Sequence, residues 1–432
     1  MKSQNIRIEK MTPIRLFTLV SSIGIVSFLL FSVVFGHISF QWLCMTNNPQ
    51  YMFLDYFKHV LYTADPAKLY ENATREWGCF PPFIYMIYYL LYHMTSFLGL
   101  TPEHWRDLMA VEQALTVFMY YSIFVATSML LSIQLWQKKS GAVKLFICLI
   151  QSAPFFAGFE RGNSIMLVFV MLLVVLKWRD DESHIKREMA LILIAICAAI
   201  KIYPAIFGFL YIKDRRYKEG CRLLAYGVLF FFFPFVFFGG FNGFLHWLSN
   251  VSNTLIVFSI GRIEYIRGLV MTAAYLLTNG ASTGDYLSLV LPNLFLIFLL
   301  SLFFASSCKY RAIFYLCAIM TFCPSNAFRY TLCYLAIPLI MFLMEHGDDS
   351  LSDKFLIAEV ISFALLFTIP TLFGFFTNFN GLAFEKNPHL TYVELRLYMM
   401  AYVVLGMIVV HELIELFKYK RIDENLLRRI GK

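Results

Sequence analysis

An all-α fold of many membrane-crossing helices is predicted by three observations. Of 432 residues, 59% are hydrophobic and only 15% charged, a balance foreign to soluble globular domains. Apolar runs of spanning or near-spanning length recur along the chain between short polar breaks. The 46 Phe and 25 Tyr suit helices that pack on one another and set aromatic rings at the bilayer interfaces. Residues 1 to 432 read as one integral membrane domain, with no soluble domain, repeat or low-complexity region. The net charge of +8 is accounted for by basic cytoplasmic loops under the positive-inside rule, so nucleic acid is not an expected partner.

The N-terminus carries Lys2, Arg7, Lys10 and Arg15 ahead of an apolar run from Leu16 to Phe40. The run is longer than a signal-peptide core and lacks a small-residue cleavage site. It therefore reads as a retained first span with its N-terminus in the cytoplasm. The loop at 41 to 80 then faces outward. Further runs follow at 81 to 100, 111 to 136, 144 to 159, 163 to 178, 189 to 212, 222 to 240, 287 to 307, 311 to 322, 327 to 344, 354 to 375 and 395 to 417, about twelve spans with the first. The basic end, KYKRIDENLLRRIGK, belongs in the cytoplasm, which agrees with an even number.

Two basic loops, WQKKSGAVK and KWRDDESHIKRE, resist simple alternation, which sets both outside. The positive-inside rule sets them inside, and that requires a re-entrant segment between 81 and 136. Short runs such as 144 to 159 and 311 to 322 are tolerated where they line a protein cavity. The run at 266 to 278 is expected in or on the membrane without crossing it. The stretch 241 to 267 suggests interfacial helices, and His246-Trp247 an interfacial aromatic pair. GDDSLSDK at 347 to 354 is a hydrophilic connector.

The polar interlude from Gln50 to Pro82 stands out, with Asp55, His59, Asp65, Glu71, Arg75 and Glu76 set among aromatic residues. Asp55 and His59, four apart, share a face on a helical turn. A carboxylate in a partly dry pocket can take the proton of a sugar hydroxyl as its oxygen attacks an anomeric carbon; an interfacial carboxylate anchoring a short helix is the plainer reading. In FERGNS, Glu160, Arg161 and Asn163 sit between apolar runs, where ionisable groups are costly and face a cavity or a partner. Arg161 either grips a phosphate oxygen or pairs with Glu160. Lys201 stands in an apolar run three residues before Pro204, as a second phosphate candidate or as a lysine reaching the headgroups. Asn326, Arg329 and Tyr330 open another run, to hold a phosphate or acceptor or to serve as an interfacial anchor. Nine single cysteines show no metal or redox spacing and read as small buried hydrophobes; Cys44 and Cys79 flank the first loop and are placed to pair in an oxidising compartment. No Walker loop, GxGxxG, HExxH or GxSxG is present.

Taken in order, Asp55, the aromatic-Pro-Pro of Phe80, Pro81 and Pro82, the RGN of Arg161, Gly162 and Asn163, and the KIYP of Lys201, Ile202, Tyr203 and Pro204 resemble the GT-C membrane glycosyltransferases. The likeness is to glycosyltransferase family 87, with its polyprenol-phosphate-mannose-dependent mannosyltransferases, and to the mannosyltransferase of glycosylphosphatidylinositol assembly. The matching series covers about residues 50 to 335. The resemblance implies a polyprenyl-phosphate sugar donor, an inverting displacement on the extracytoplasmic face and a glycan or glycolipid acceptor. It implies Asp55 as the catalytic base, and His59, Arg161, Asn163, Lys201, Tyr203, Arg329 and Tyr330 as substrate contacts. The chain has only Asp55 where many relatives have a DxD-like pair, and Arg329-Tyr330 where family 87 members often carry His-His. No metal site or cofactor is named, and a divalent cation is left open. A bacterial plasma membrane fits better than the endoplasmic reticulum. The rivals are a transporter or lipid flippase, which predicts broken helices in two matching halves, and a non-catalytic scaffold.

Overall fold

Long apolar runs have only one way to satisfy their backbone groups in hydrocarbon without neighbours, and the chain takes it by folding into helices. The computed structural model describes residues 11–35, 53–73, 78–94, 111–136, 139–254, 263, 265–278, 285–324, 328–346, 353–368 and 392–430, and no strand occurs among them. In order, the helices longer than five residues are α1 (Pro13–Phe35), α2 (Leu54–Tyr62), α3 (Pro82–His93), α4 (Glu112–Gln134), α5 (Lys139–Ile150), α6 (Ala153–Arg161), α7 (Ile165–Trp178), α8 (His184–Ile200), α9 (Tyr217–Phe232), α10 (Gly240–Thr254), α11 (Ile266–Leu277), α12 (Asp285–Ala305), α13 (Lys309–Phe322), α14 (Ala336–Glu345), α15 (Lys354–Thr368) and α16 (Tyr392–Ile430).

Several of the apolar runs are broken, and the breaks build the site. The run at 144 to 159 is split into α5 and α6, bent by 70°, with Pro154 in the first turn of α6, where a proline costs no hydrogen bond. The run at 189 to 212 breaks after α8, where Lys201 turns extended and Tyr203–Gly208 form a 3-10 turn around Pro204. The run at 327 to 344 opens as a 3-10 turn, Arg329–Leu335, before α14.

Among the described residues, five helical stretches are long and apolar enough to cross a bilayer, and α5 with α6 makes a sixth if the bent pair crosses as one. Length and composition therefore do not reproduce the twelve spans expected from the runs. The physical reason lies in elements such as α13. Its 14 residues rise ~21 Å, short of a hydrocarbon core of ~30 Å. Every residue from Tyr310 to Phe322 is buried in protein. Such a run is apolar because it meets other helices.

The helices have two chemically distinct ends. At one end lie Asp55 of α2, the C-termini of α6 and α8, and the N-terminus of α7. Phe118, near the start of α4, packs there on Phe53 and Tyr56, with ring centroids 4.5 and 4.9 Å apart. At the other end, where α7 finishes, Arg179 pairs with Asp180 and Asp214, and Arg216 and Lys309 also reach Asp180. Trp136, past the end of α4, donates to the Leu173 carbonyl at 3.0 Å, and Lys177 lies 5.3 Å over its ring. Residues 136 and 177 to 188, from both basic loops, are thus at the end away from Asp55, as the positive-inside rule requires. Strict alternation fails because α3 and α4 both start at the Asp55 end.

A labelling experiment checks this arrangement. With Cys221 replaced by Ser, a cysteine at exposed Glu182 is expected to react with an impermeant maleimide only from the cytoplasmic face. One at exposed Lys68 should react only from the opposite face. Labelling of both from one side would overturn the topology.

Candidate functional site

The interlude becomes a folded unit through its turns. Phe53 adopts a left-handed backbone, φ 59°, at the entry to α2, a conformation costing an aromatic L-residue ~1 kcal/mol or more. Its N–H donates to the Glu160 carbonyl at 2.9 Å, which ties the start of α2 to the end of α6. The strain buys position: Asp55 is delivered two residues later onto the RGN turn.

There both carboxylate oxygens of Asp55 are engaged. Arg161 Nη2 donates to Oδ1 at 2.5 Å and Asn163 Nδ2 to Oδ2 at 2.7 Å. The Asn163 amide oxygen accepts from Ile165 N–H at 3.0 Å, so the start of α7 determines which way the amide faces. Asp55 is 4% exposed, Arg161 7% and Asn163 1%. Burial by itself raises the Asp55 carboxyl, but the Arg161 charge and the two hydrogen bonds outweigh it and hold the group below the usual carboxylate range.

Gly162 makes this turn possible. It closes α6 in the left-handed region at φ +61°, and a Cβ there would stand 2.6 Å from Tyr56 Cβ and 2.8 Å from the Phe118 ring. Gly162→Ala is expected to destabilise the protein by about 1–3 kcal/mol and to cut transfer by moving Arg161 and Asn163. Thermal unfolding and an activity assay on the same preparation check it, and unchanged values in both would refute the account of the turn.

His59 lies on the same helix, 1% exposed. Its Nδ1 is 3.1 Å from the Tyr85 hydroxyl. Its ring stacks on Tyr88 at 5.7 Å and an 8° interplanar angle, with Phe80 at 4.6 Å. Burial, only partly offset by Asp55 and reinforced by nearby cations, pushes His59 down to about 3, so it is neutral near pH 7.

Phe80 then links His59 to Lys201, whose Nζ lies 3.2 Å from the centre of the Phe80 ring. Lys201 is 6% exposed, and among the described residues no carboxylate or hydrogen-bond acceptor meets its ammonium. A cation–π contact is worth ~2 kcal/mol when desolvated, less than the several kcal/mol that burying an ion costs. Arg161 is thus paired, while Lys201 meets no anion among the described residues.

Tyr330 packs against α6, its Cβ 3.8 Å from a Cβ built at Gly158, and lies close enough to interact electrostatically with Asp55 and Arg161. Tyr203 follows Lys201 and stands 5.9 Å from the Tyr334 ring. Arg329, 3% exposed, begins the same 3-10 turn as Tyr330. All eight proposed site residues are therefore described: Asp55 is hydrogen-bonded to Arg161 and Asn163, His59 lies one turn further along α2, and Phe80 stands between His59 and Lys201. Arg75, Glu76, Asn326 and Cys44 lie outside the described residues. No group of three His, Cys, Asp or Glu side chains able to hold a metal occurs among those described.

Sequence reasoning missed three things. The aromatic walls of the site, Phe80, Tyr85 and Tyr88, were unremarkable in a chain so rich in rings. Trp247, expected at the interface, is 6% exposed and donates to the Cys79 carbonyl at 3.2 Å, while Asn250 donates to Tyr70 O at 3.0 Å; α10 thereby braces the loop that carries Phe80. Finally, a second buried polar cluster lies near the basic end. Glu359 accepts from Tyr310 at 2.8 Å and lies 2.7 Å from His411 Nδ1, and Glu412 meets Arg311 at 2.7 Å and Ser306 at 3.0 Å. Acids and a histidine inside apolar runs were its signal, the same one that marked Lys201.

A model of glycosyltransferase family 87 matches residues 81–325. That stretch contains Arg161, Asn163, Lys201 and Tyr203, whereas Asp55 and His59 precede it and Arg329 and Tyr330 follow it. No curated protein and no solved structure matches the chain.

Proposed function

Because the chain belongs to glycosyltransferase family 87, we propose that this site transfers a sugar from a polyprenyl-phosphate donor to a glycan or glycolipid acceptor outside the cytoplasm. The domain is a single GT-C-type unit, and a bacterial plasma membrane suits it better than the endoplasmic reticulum. The observation that carries the reading is the pairing of opposites within one buried site: a fixed carboxylate, Asp55, and an ammonium that meets no counter-ion among the described residues, Lys201, separated by His59 and Phe80.

In this reaction the acceptor hydroxyl attacks the anomeric carbon as the bond from that carbon to the phosphate oxygen breaks, inverting the centre. The proton passes to Asp55, and the electron pair leaves with polyprenyl phosphate. Lys201, with Arg329 as a second buried cation, supports the charge growing on the departing phosphate. Asp55 is a weak base, and a weak base suffices, since the hydroxyl becomes acidic only as its new bond forms. Arg161 and Asn163 orient the carboxylate, and Tyr203 and Tyr330 line the approach.

Purified protein offered a panel of polyprenyl-phosphate sugars is expected to release polyprenyl phosphate in step with acceptor glycosylation. Movement of lipid across the bilayer with no release of polyprenyl phosphate would favour a flippase and sink the proposal.

A further inference from the structure

The charged groups of the site are sealed from solvent. Asp55, Arg161, Lys201 and Arg329 are all buried, whereas Phe80, which lies against Lys201, is only partly so. Its ring is held between the His59 ring, 4.6 Å away, and the Lys201 ammonium, 3.2 Å from its centre. The backbone beneath it is pinned. The Phe80 carbonyl accepts from the Tyr70 hydroxyl at 2.9 Å and the Cys79 carbonyl from Trp247 Nε1 at 3.2 Å. Gly78 passes so close to α10 that a Cβ there would stand 2.5 Å from Asn250 Nδ2. Pro81 then confines the Phe80 backbone to extended conformations. What is left to move is the side chain, turning between staggered rotamers. A phosphate oxygen bonded to Lys201 must come to about 2.8 Å from Nζ, and the Phe80 ring fills that approach.

We propose that Phe80 controls admission to the donor site: its ring holds the place of the donor phosphate on Lys201 and turns aside for a ligand that brings negative charge there. The proposal rests on the reading of Lys201 as the phosphate's partner. Its chemistry is a competition for one cation. The face of a phenyl ring attracts the ammonium through its quadrupole. A phosphate monoester offers full charge and short hydrogen bonds, and displaces the ring. An uncharged lipid offers neither and leaves the ring in place. Phe80 thereby selects lipid phosphates over lipids of the same tail without the charge.

Two measurements on the purified full chain in micelles test it: the affinity for a short-chain polyprenyl monophosphate, and the labelling of Lys201 by an amine-reactive reagent without ligand, mapped by peptide mass spectrometry. Phe80→Leu keeps apolar bulk but has no π face. It is expected to bind the probe about ten-fold more tightly, from the loss of one desolvated cation–π contact, and to raise Lys201 labelling several-fold. Against Lys201→Met alone, the double variant should show no such tightening. Phe80→Trp, whose ring holds a cation more strongly, should bind the probe more weakly, and it serves if the leucine variant fails to fold. Polyprenol without its phosphate should bind all forms alike. Wild-type affinity and labelling in Phe80→Leu would overturn the gate, and a wild type that still releases polyprenyl phosphate from a donor sugar would leave the transfer reading standing. A wild type that does not bind the probe would overturn both.

Discussion

Asp55→Asn is expected to lower sugar transfer by roughly 10²–10⁴-fold, the usual contribution of a positioned general base. The substitution has a second effect. It takes the Asp55 charge away from the buried Arg161 guanidinium, at a cost of about 3–5 kcal/mol, so loss of activity alone is ambiguous. Asp55→Asn combined with Arg161→Gln removes both charges, and is expected to recover much of the stability while staying inactive. The pH dependence of stability follows the same pair. The Asp55 carboxyl titrates lower in the folded chain than its unfolded value of 3.8, so the pair's contribution is intact above that pH and is lost as pH falls through the folded value. The double variant should lack that acid-side loss. Transfer at wild-type rate by Asp55→Asn would remove Asp55 from the mechanism.

Lys201→Met is expected to move stability and activity in opposite directions. Methionine keeps the bulk and the contact with Phe80 but removes a buried ammonium that meets no anion among the described residues, so unfolding should be unchanged or raised by on the order of 1 kcal/mol. Transfer should fall by about 10²-fold, as when one charge-stabilising donor is lost, with the deficit larger for donor phosphate binding than for the acceptor. A structural lysine predicts the reverse, a less stable protein of normal activity. Differential scanning fluorimetry beside a polyprenyl-phosphate release assay separates the two.

Much of this site was legible because membrane burial makes charge conspicuous: Asp55, Arg161 and Lys201 each stand out against apolar neighbours. Their partners were not legible. Arg161 reads equally well as a phosphate ligand or a mate for Glu160, and only the turn at Gly162 brings it to Asp55, 106 residues away. Length and composition support fewer spans among the described residues than the twelve apolar runs, because hydropathy reports burial without saying whether lipid or protein does the burying, as α13 demonstrates. Orientation of the basic loops needed the tertiary fact that α3 and α4 start from the same end.

The cluster around Arg311 bears on how the chain is made. Arg311 is synthesised well before Glu412, its partner on α16, and Tyr310 before Glu359. Until the last helices leave the ribosome, a cation and a phenol on the innermost helix have no mates. The final segments then act as a latch that completes biogenesis, and a chain stopped at residue 325, where the family match ends, would hold an unmatched guanidinium and fail quality control before it could meet a substrate.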